Sequence, residues 1–198
     1  MALAYFHAPH AIFTDLMYLT IWGRYFTLVT FLVGSLVIPQ NSFSKYNPFK
    51  AWKWYTFMFQ LAFLLEWIIS PMYWLLLNNK DSYRPDDMFY NILKGGDHVL
   101  PLLLLLVDFS MNTIPFCNRH YLLVCVVLLV YMMFNYLVTF IRNKPVYSIL
   151  DWNSVIGWSL PPASFVYMTF VFGVVKWISN KKLKKNGYEV LFGADSID

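Results

Sequence analysis

The chain has 198 residues, of which 59% are hydrophobic, 20% aromatic and only 13% charged, with a formal net charge of +4. Soluble domains carry about 25% charged residues, and a chain this short keeps too much surface to hide such an apolar fraction in a water-soluble core. A soluble globular domain is thereby excluded, and the solvent for most of the surface is expected to be lipid.

The first stretch, Met1 to Phe13, contains no Lys or Arg. It lacks both the basic start of a secretory signal and the Arg-rich pattern of a transit peptide, so sorting is not legible there. Residues 1–21 are interrupted by His7, Pro9, His10 and Asp15 and are expected to lie along the membrane interface. His7 and His10 could share a metal only on a helix, and Pro9 between them opposes one. No metal or other cofactor is expected.

A helix needs about 17 to 25 apolar residues to cross a bilayer. Five such segments are expected within residues 22–178: Trp22–Val37, stopped by Pro39; Trp54–Leu77; Gly95–Phe109, the shortest, with a backward extension through Phe89 to Leu93; His120–Ile141; and Val155–Ile178, with Pro161 and Pro162 near its start. None shows strand alternation, so the expectation is an all-α polytopic bundle rather than a barrel. Residues 179–198 form a polar, lysine-rich tail. Its Lys181, Lys182, Lys184 and Lys185 read as an anchor on one membrane face rather than a nucleic-acid patch.

Lysines and arginines also set the expected direction. With the tail inside, Lys45, Lys50, Lys53, Arg119, Lys176 and the four tail lysines fall inside. Arg24, Lys80, Arg84, Lys94, Arg142 and Lys144 fall outside. The excess favours N-terminus out and C-terminus in.

Charged groups at membrane depth are costly and face protein or water. Glu66, Ser70 and Tyr73 share one face of the second segment. Asp97, His98 and Asp108 lie on the third, the two acids three turns apart on one stripe. Tyr131, Asn135 and Arg142 share a face of the fourth, with Thr139 beside it. A buried polar network of Glu66, Ser70, Tyr73, Asp97, Asp108 and Asn135 is expected from these stripes. Ser70, Asn135 and Thr139 read as interhelical glue, at about 0.6 kcal/mol for each hydrogen bond. Glu66 and the Asp97–His98 pair weigh equally as glue and as a functional site. Cys117 and Cys125 have neither metal nor redox spacing. The nucleophile-elbow, P-loop and dinucleotide motifs are missing from the sequence.

Three stretches resemble the androgen-induced-gene and rolling-stone-like family of multi-pass membrane proteins. Trp22-Gly-Arg-Tyr-Phe-Thr27 is similar to its W-x-[KR]-[YF]-L-T helix entry. The run from His98 to Asp108 is similar to its His-led helix ending in an acid. Pro145-Val-Tyr-Ser-Ile-Leu-Asp151-Trp152 is similar to its V-Y-P-x-L-D-W loop. Glu66 and Tyr73-Trp74-Leu75-Leu76 look like the rolling-stone branch. The resemblance implies an intramembrane hydrolase of fatty-acid esters, with Thr27 as nucleophile and His98 as its base. Asp97 points about 100° away from His98 on a helix and is not expected to orient it.

Two functions follow. One is a non-catalytic accessory subunit of a larger membrane assembly, for example in a respiratory chain, whose other subunits hold a tail with little core of its own. The other is the Thr27/His98 hydrolase that the resemblance implies. Membrane lipids and other membrane subunits are the expected partners and nucleic acid is not. The membrane is the mitochondrial inner membrane or the endoplasmic reticulum, which the sequence does not separate.

Overall fold

A computed structural model describes residues 15–37, 48–78 and 86–186. Its helices are α1 (Leu19–Val37), α2 (Pro48–Met72) with a π-helical turn (Tyr73–Leu77), α3 (Met88–Gly96), α4 (Leu100–Met111), α5 (Asn118–Arg142) and α6 (Val155–Lys185). No strand occurs among the described residues. Four helical stretches, Leu19–Leu36, Trp52–Leu77, Asn118–Arg142 and Val155–Lys185, are long and apolar enough to cross a membrane. The chain is a helical integral membrane protein. His7, His10, most of the 1–21 segment and residues 187–198 lie outside the described residues.

The third expected span differs from the other four. It is divided into α3 and α4, and α4 has only 12 residues, a rise of about 18 Å. Gly95 and Gly96 are poor helix formers, and the chain tightens there. His98 N–H bonds to the Gly95 carbonyl and Val99 N–H to that of Gly96, three-residue steps typical of a helix terminus. Pro101 then occupies the first turn of α4, where its missing N–H costs nothing. The break puts Asp97 and Asp108 on separate elements, so the single acidic stripe does not form.

α2 is the centre. From Phe59 to Ile69 every residue except Trp67 is buried, and a helix buried on all sides belongs in the middle of a bundle. Phe59 and Phe63 stack at 5.4 Å, and Phe63 meets Phe109 and Phe116 at 5.4 and 5.9 Å. Pro71, which has no N–H to give the carbonyl four residues earlier, precedes the π-helical turn, closed by Asn78 N–H on Tyr73 O at 2.8 Å.

α1 packs antiparallel to α2 along a stripe of small residues. Gly23, Thr27, Thr30 and Gly34 fall at successive turns and are all buried. A Cβ at Gly23 would lie 2.3 Å from Glu66 Oε1, and one at Gly34 would lie 3.0 Å from the Tyr55 ring. Small residues of this kind let two membrane helices approach closely.

The bundle has two distinct ends. At one, the start of α1 meets the end of α2, the α3–α4 link and the middle of α5. At the other, the end of α4 meets the start of α2 and the end of α6. α6 runs to Lys185, so the lysine cluster forms its last turns.

Candidate functional site

The second end holds a non-helical segment. Between α4 and α5 the chain runs extended through residues 113–117, with Ile114 and Phe116 buried. Irregular backbone inside a membrane bundle must have its polar groups satisfied by protein, and side chains from α2 and α6 do so. Gln60 Nε2 donates to Pro115 O at 2.8 Å, and its Oε1 accepts from Cys117 N–H at 3.2 Å. Ser179 Oγ donates to Ile114 O at 2.6 Å. Lys182 Nζ donates to the carbonyls of Phe109, Ser110 and Asn112. Lys182 therefore turns inward and caps α4, while Lys181, Lys184 and Lys185 stay exposed and Lys181 sits over the Trp177 ring at 3.7 Å. Asp108 accepts from Tyr55 Oη at 2.6 Å and from Asn112.

The first end is sealed by tyrosines. The Leu19 N–H, at the first turn of α1, donates to Tyr131 Oη at 3.1 Å and Tyr147 Oη at 3.0 Å. Tyr131 Oη in turn donates to Met17 O at 2.9 Å. Asn135 joins this set: its Nδ2 reaches Tyr131 Oη at 3.3 Å and its Oδ1 accepts from Trp152 Nε1 at 3.1 Å. Tyr147 lies in the α5–α6 connection, and burial pushes its phenol above the ordinary range, so it stays neutral.

Beside this seal lies a cavity of about 370 Å³, lined by Tyr18, Thr20, Ile21, Arg24, Tyr73, Leu77, Lys94, His98 and Tyr147. Arg24 Nη2 meets Asp97 Oδ2 at 2.8 Å, with the Asp97 side chain 51% exposed. The His98 ring stacks on Tyr73, centroids 3.6 Å apart and planes 12° apart. Arg24 Nε and His98 Nδ1 are buried without a hydrogen-bond partner, as are both carboxylate oxygens of Glu66.

The expected polar residues therefore separate. Glu66, Ser70, Tyr73 and Asn135 are buried. Asp97 is not: it stands at the surface, held by Arg24. Asp108 belongs to the opposite end, with Tyr55. Glu66 has no hydrogen-bonded neighbour in the set, so no single network joins the six.

Thr27 and His98 also go to different places. Thr27 sits in the small-residue stripe of α1, is buried, and its Oγ1 makes no hydrogen bond, hence none to His98. It does not line the cavity that His98 lines. Arg24 and Gln60 are not among the site residues expected from the sequence, and Lys182 is expected only as an anchoring lysine. Gln60 carries no charge and interrupts an apolar run, which was the available signal. Set against known protein families, curated proteins and solved structures, the chain matches none.

Proposed function

We propose that the chain is a non-catalytic accessory subunit of a larger membrane assembly, built on the architecture of the androgen-induced-gene and rolling-stone-like proteins. The observation that carries this reading is the placement of Thr27. Its small side chain fills a position in the close α1–α2 contact, between Gly23 and Gly34, and its hydroxyl has no base beside it. A threonine nucleophile needs a general base within hydrogen-bond reach. Several buried polar side chains hold backbone: Gln60, Ser179, Lys182, Tyr131 and Tyr147 all bond to main-chain groups.

The same geometry supports five passes with opposite-facing termini. α4 runs between the two ends of the bundle, with His98 just before it against Tyr73 at one and Asp108 against Tyr55 at the other. α4 is completed by the extended segment that Gln60 and Ser179 satisfy. The lysine-bearing end of α6 is then the inner face by the positive-inside rule. The membrane is that of the mitochondrion's interior or the endoplasmic reticulum, separable by fractionation.

The second reading, a fatty-ester hydrolase, rests on the resemblance of Trp22–Thr27 and His98–Asp108. Native purification with mass spectrometry decides between them. Stoichiometric recovery with other membrane subunits is expected. A monomer that cleaves fatty esters and loses that activity in Thr27→Ala would sink the subunit reading.

A further inference from the structure

We propose that the cavity at the tyrosine-sealed end binds the phosphate headgroup of an anionic membrane lipid, held by Arg24, Lys94 and His98. This goes beyond the subunit reading and does not depend on it.

The first ground is the unspent polar capacity of the walls. A guanidinium carries five donors in a fixed fork, and Arg24 gives Nη2 to Asp97 while Nε is buried with no acceptor. His98 Nδ1 is buried without a partner on the same cavity. Buried polar atoms without partners are rare and call for an explanation. Lys94, in the last turn of α3, adds a second cation to the lining. Arg24 and Lys94 are the cations among the described lining residues, and no carboxylate lines the cavity with them. Arginine matches phosphate in a forked geometry and lysine as a point charge.

The second ground is position. The cavity lies at the first turns of α1 and the end of α2, the level at which a spanning helix enters the headgroup region. Tyr18, Tyr73 and Tyr147 line it, and amphipathic rings gather at that level.

The third ground is a path for the acyl chains. Ile21 lines the cavity, and Tyr25, Leu28 and Leu32 follow it at helical spacing on α1, exposed by 57%, 56% and 56%. A headgroup in the cavity places its chains on that apolar stripe, as a free phosphate ion would not.

The test is lipid retention by the full chain in detergent, read by native mass spectrometry during titration with phosphatidic acid, phosphatidylcholine or inorganic phosphate. Phosphatidic acid is expected to bind at least about tenfold tighter than phosphatidylcholine, the loss that one charge-assisted hydrogen bond represents. Lys94→Gln and His98→Gln should each remove most of that preference, and a variant with Lys181, Lys184 and Lys185 all changed to Gln should keep it. Arg24→Gln is a third probe, and Lys94→Gln carries the test if that variant fails to fold. Equal retention of the two lipids would overturn the proposal. So would loss of the preference with the tail variant in place of Lys94→Gln, or inorganic phosphate binding as tightly as phosphatidic acid.

Discussion

The two ends of the bundle handle polar groups in opposite ways. Around Lys182 an irregular stretch of backbone is enclosed, and Gln60, Ser179 and Lys182 close its carbonyls one by one. Around Arg24 the π-helical turn and the α3–α4 link close backbone hydrogen bonds of their own, yet Arg24 Nε, His98 Nδ1 and the Glu66 carboxylate are buried with no hydrogen bond. Satisfied groups fix one geometry, whereas unsatisfied groups beside a cavity keep capacity for something that binds. The Lys182 end therefore carries stability, and the Arg24 end is where the proposed recognition takes place.

Substitutions can break that division or sharpen it. Gln60→Leu should have the largest effect. It leaves the Pro115 carbonyl and Cys117 amide buried without partners, a loss of about 3 kcal/mol measured as detergent unfolding in mixed micelles followed by tryptophan fluorescence. Gly23→Ala comes next. Its methyl would enter the space of Glu66 Oε1 and Ile69 Cδ1, which should cost about 2 kcal/mol by overpacking in the same assay. Lys182→Met keeps the apolar stem and removes the cap on α4. A cost of about 1 to 2 kcal/mol is expected, with faster hydrogen exchange at the end of α4 as an independent mark. Asp97→Asn should change stability by less than about 0.5 kcal/mol, because the pair it breaks is largely solvent-facing. A cost at Asp97 matching that at Gln60 would erase the contrast between the ends.

Much of the scaffold is legible in the sequence because length and apolarity decide which segments cross a bilayer. Four of the expected segments recur as long apolar helices, with α1 beginning at Leu19 and α6 extending to Lys185. The division at Asp97–Val99 is less so. Gly95, Gly96 and Pro101 are visible punctuation, but a run of apolar residues on both sides conceals it. The side-chain pairings are least legible. Arg24 and Asp97 are 73 positions apart, and Lys182 meets carbonyls 70 and 73 positions earlier. No local pattern encodes such meetings. For that reason Lys182 reads as one more anchoring lysine, and Thr27 reads as a motif residue when its packing role depends on Gly23 and Gly34 facing the same neighbour.

The capping of α4 by Lys182 also bears on how the chain is made. Synthesis runs from the N-terminus, so α4 and the segment after it leave the ribosome well before α6 exists. Until Lys182 and Ser179 arrive, the carbonyls of Phe109, Asn112 and Ile114 lack their partners. The same delay applies to the first amide of α1, which waits for Tyr131 and Tyr147. Formation of α6 thus completes the hydrogen bonding of the α4 end, and a chain halted after Arg142 would leave those carbonyls without Lys182 and Ser179.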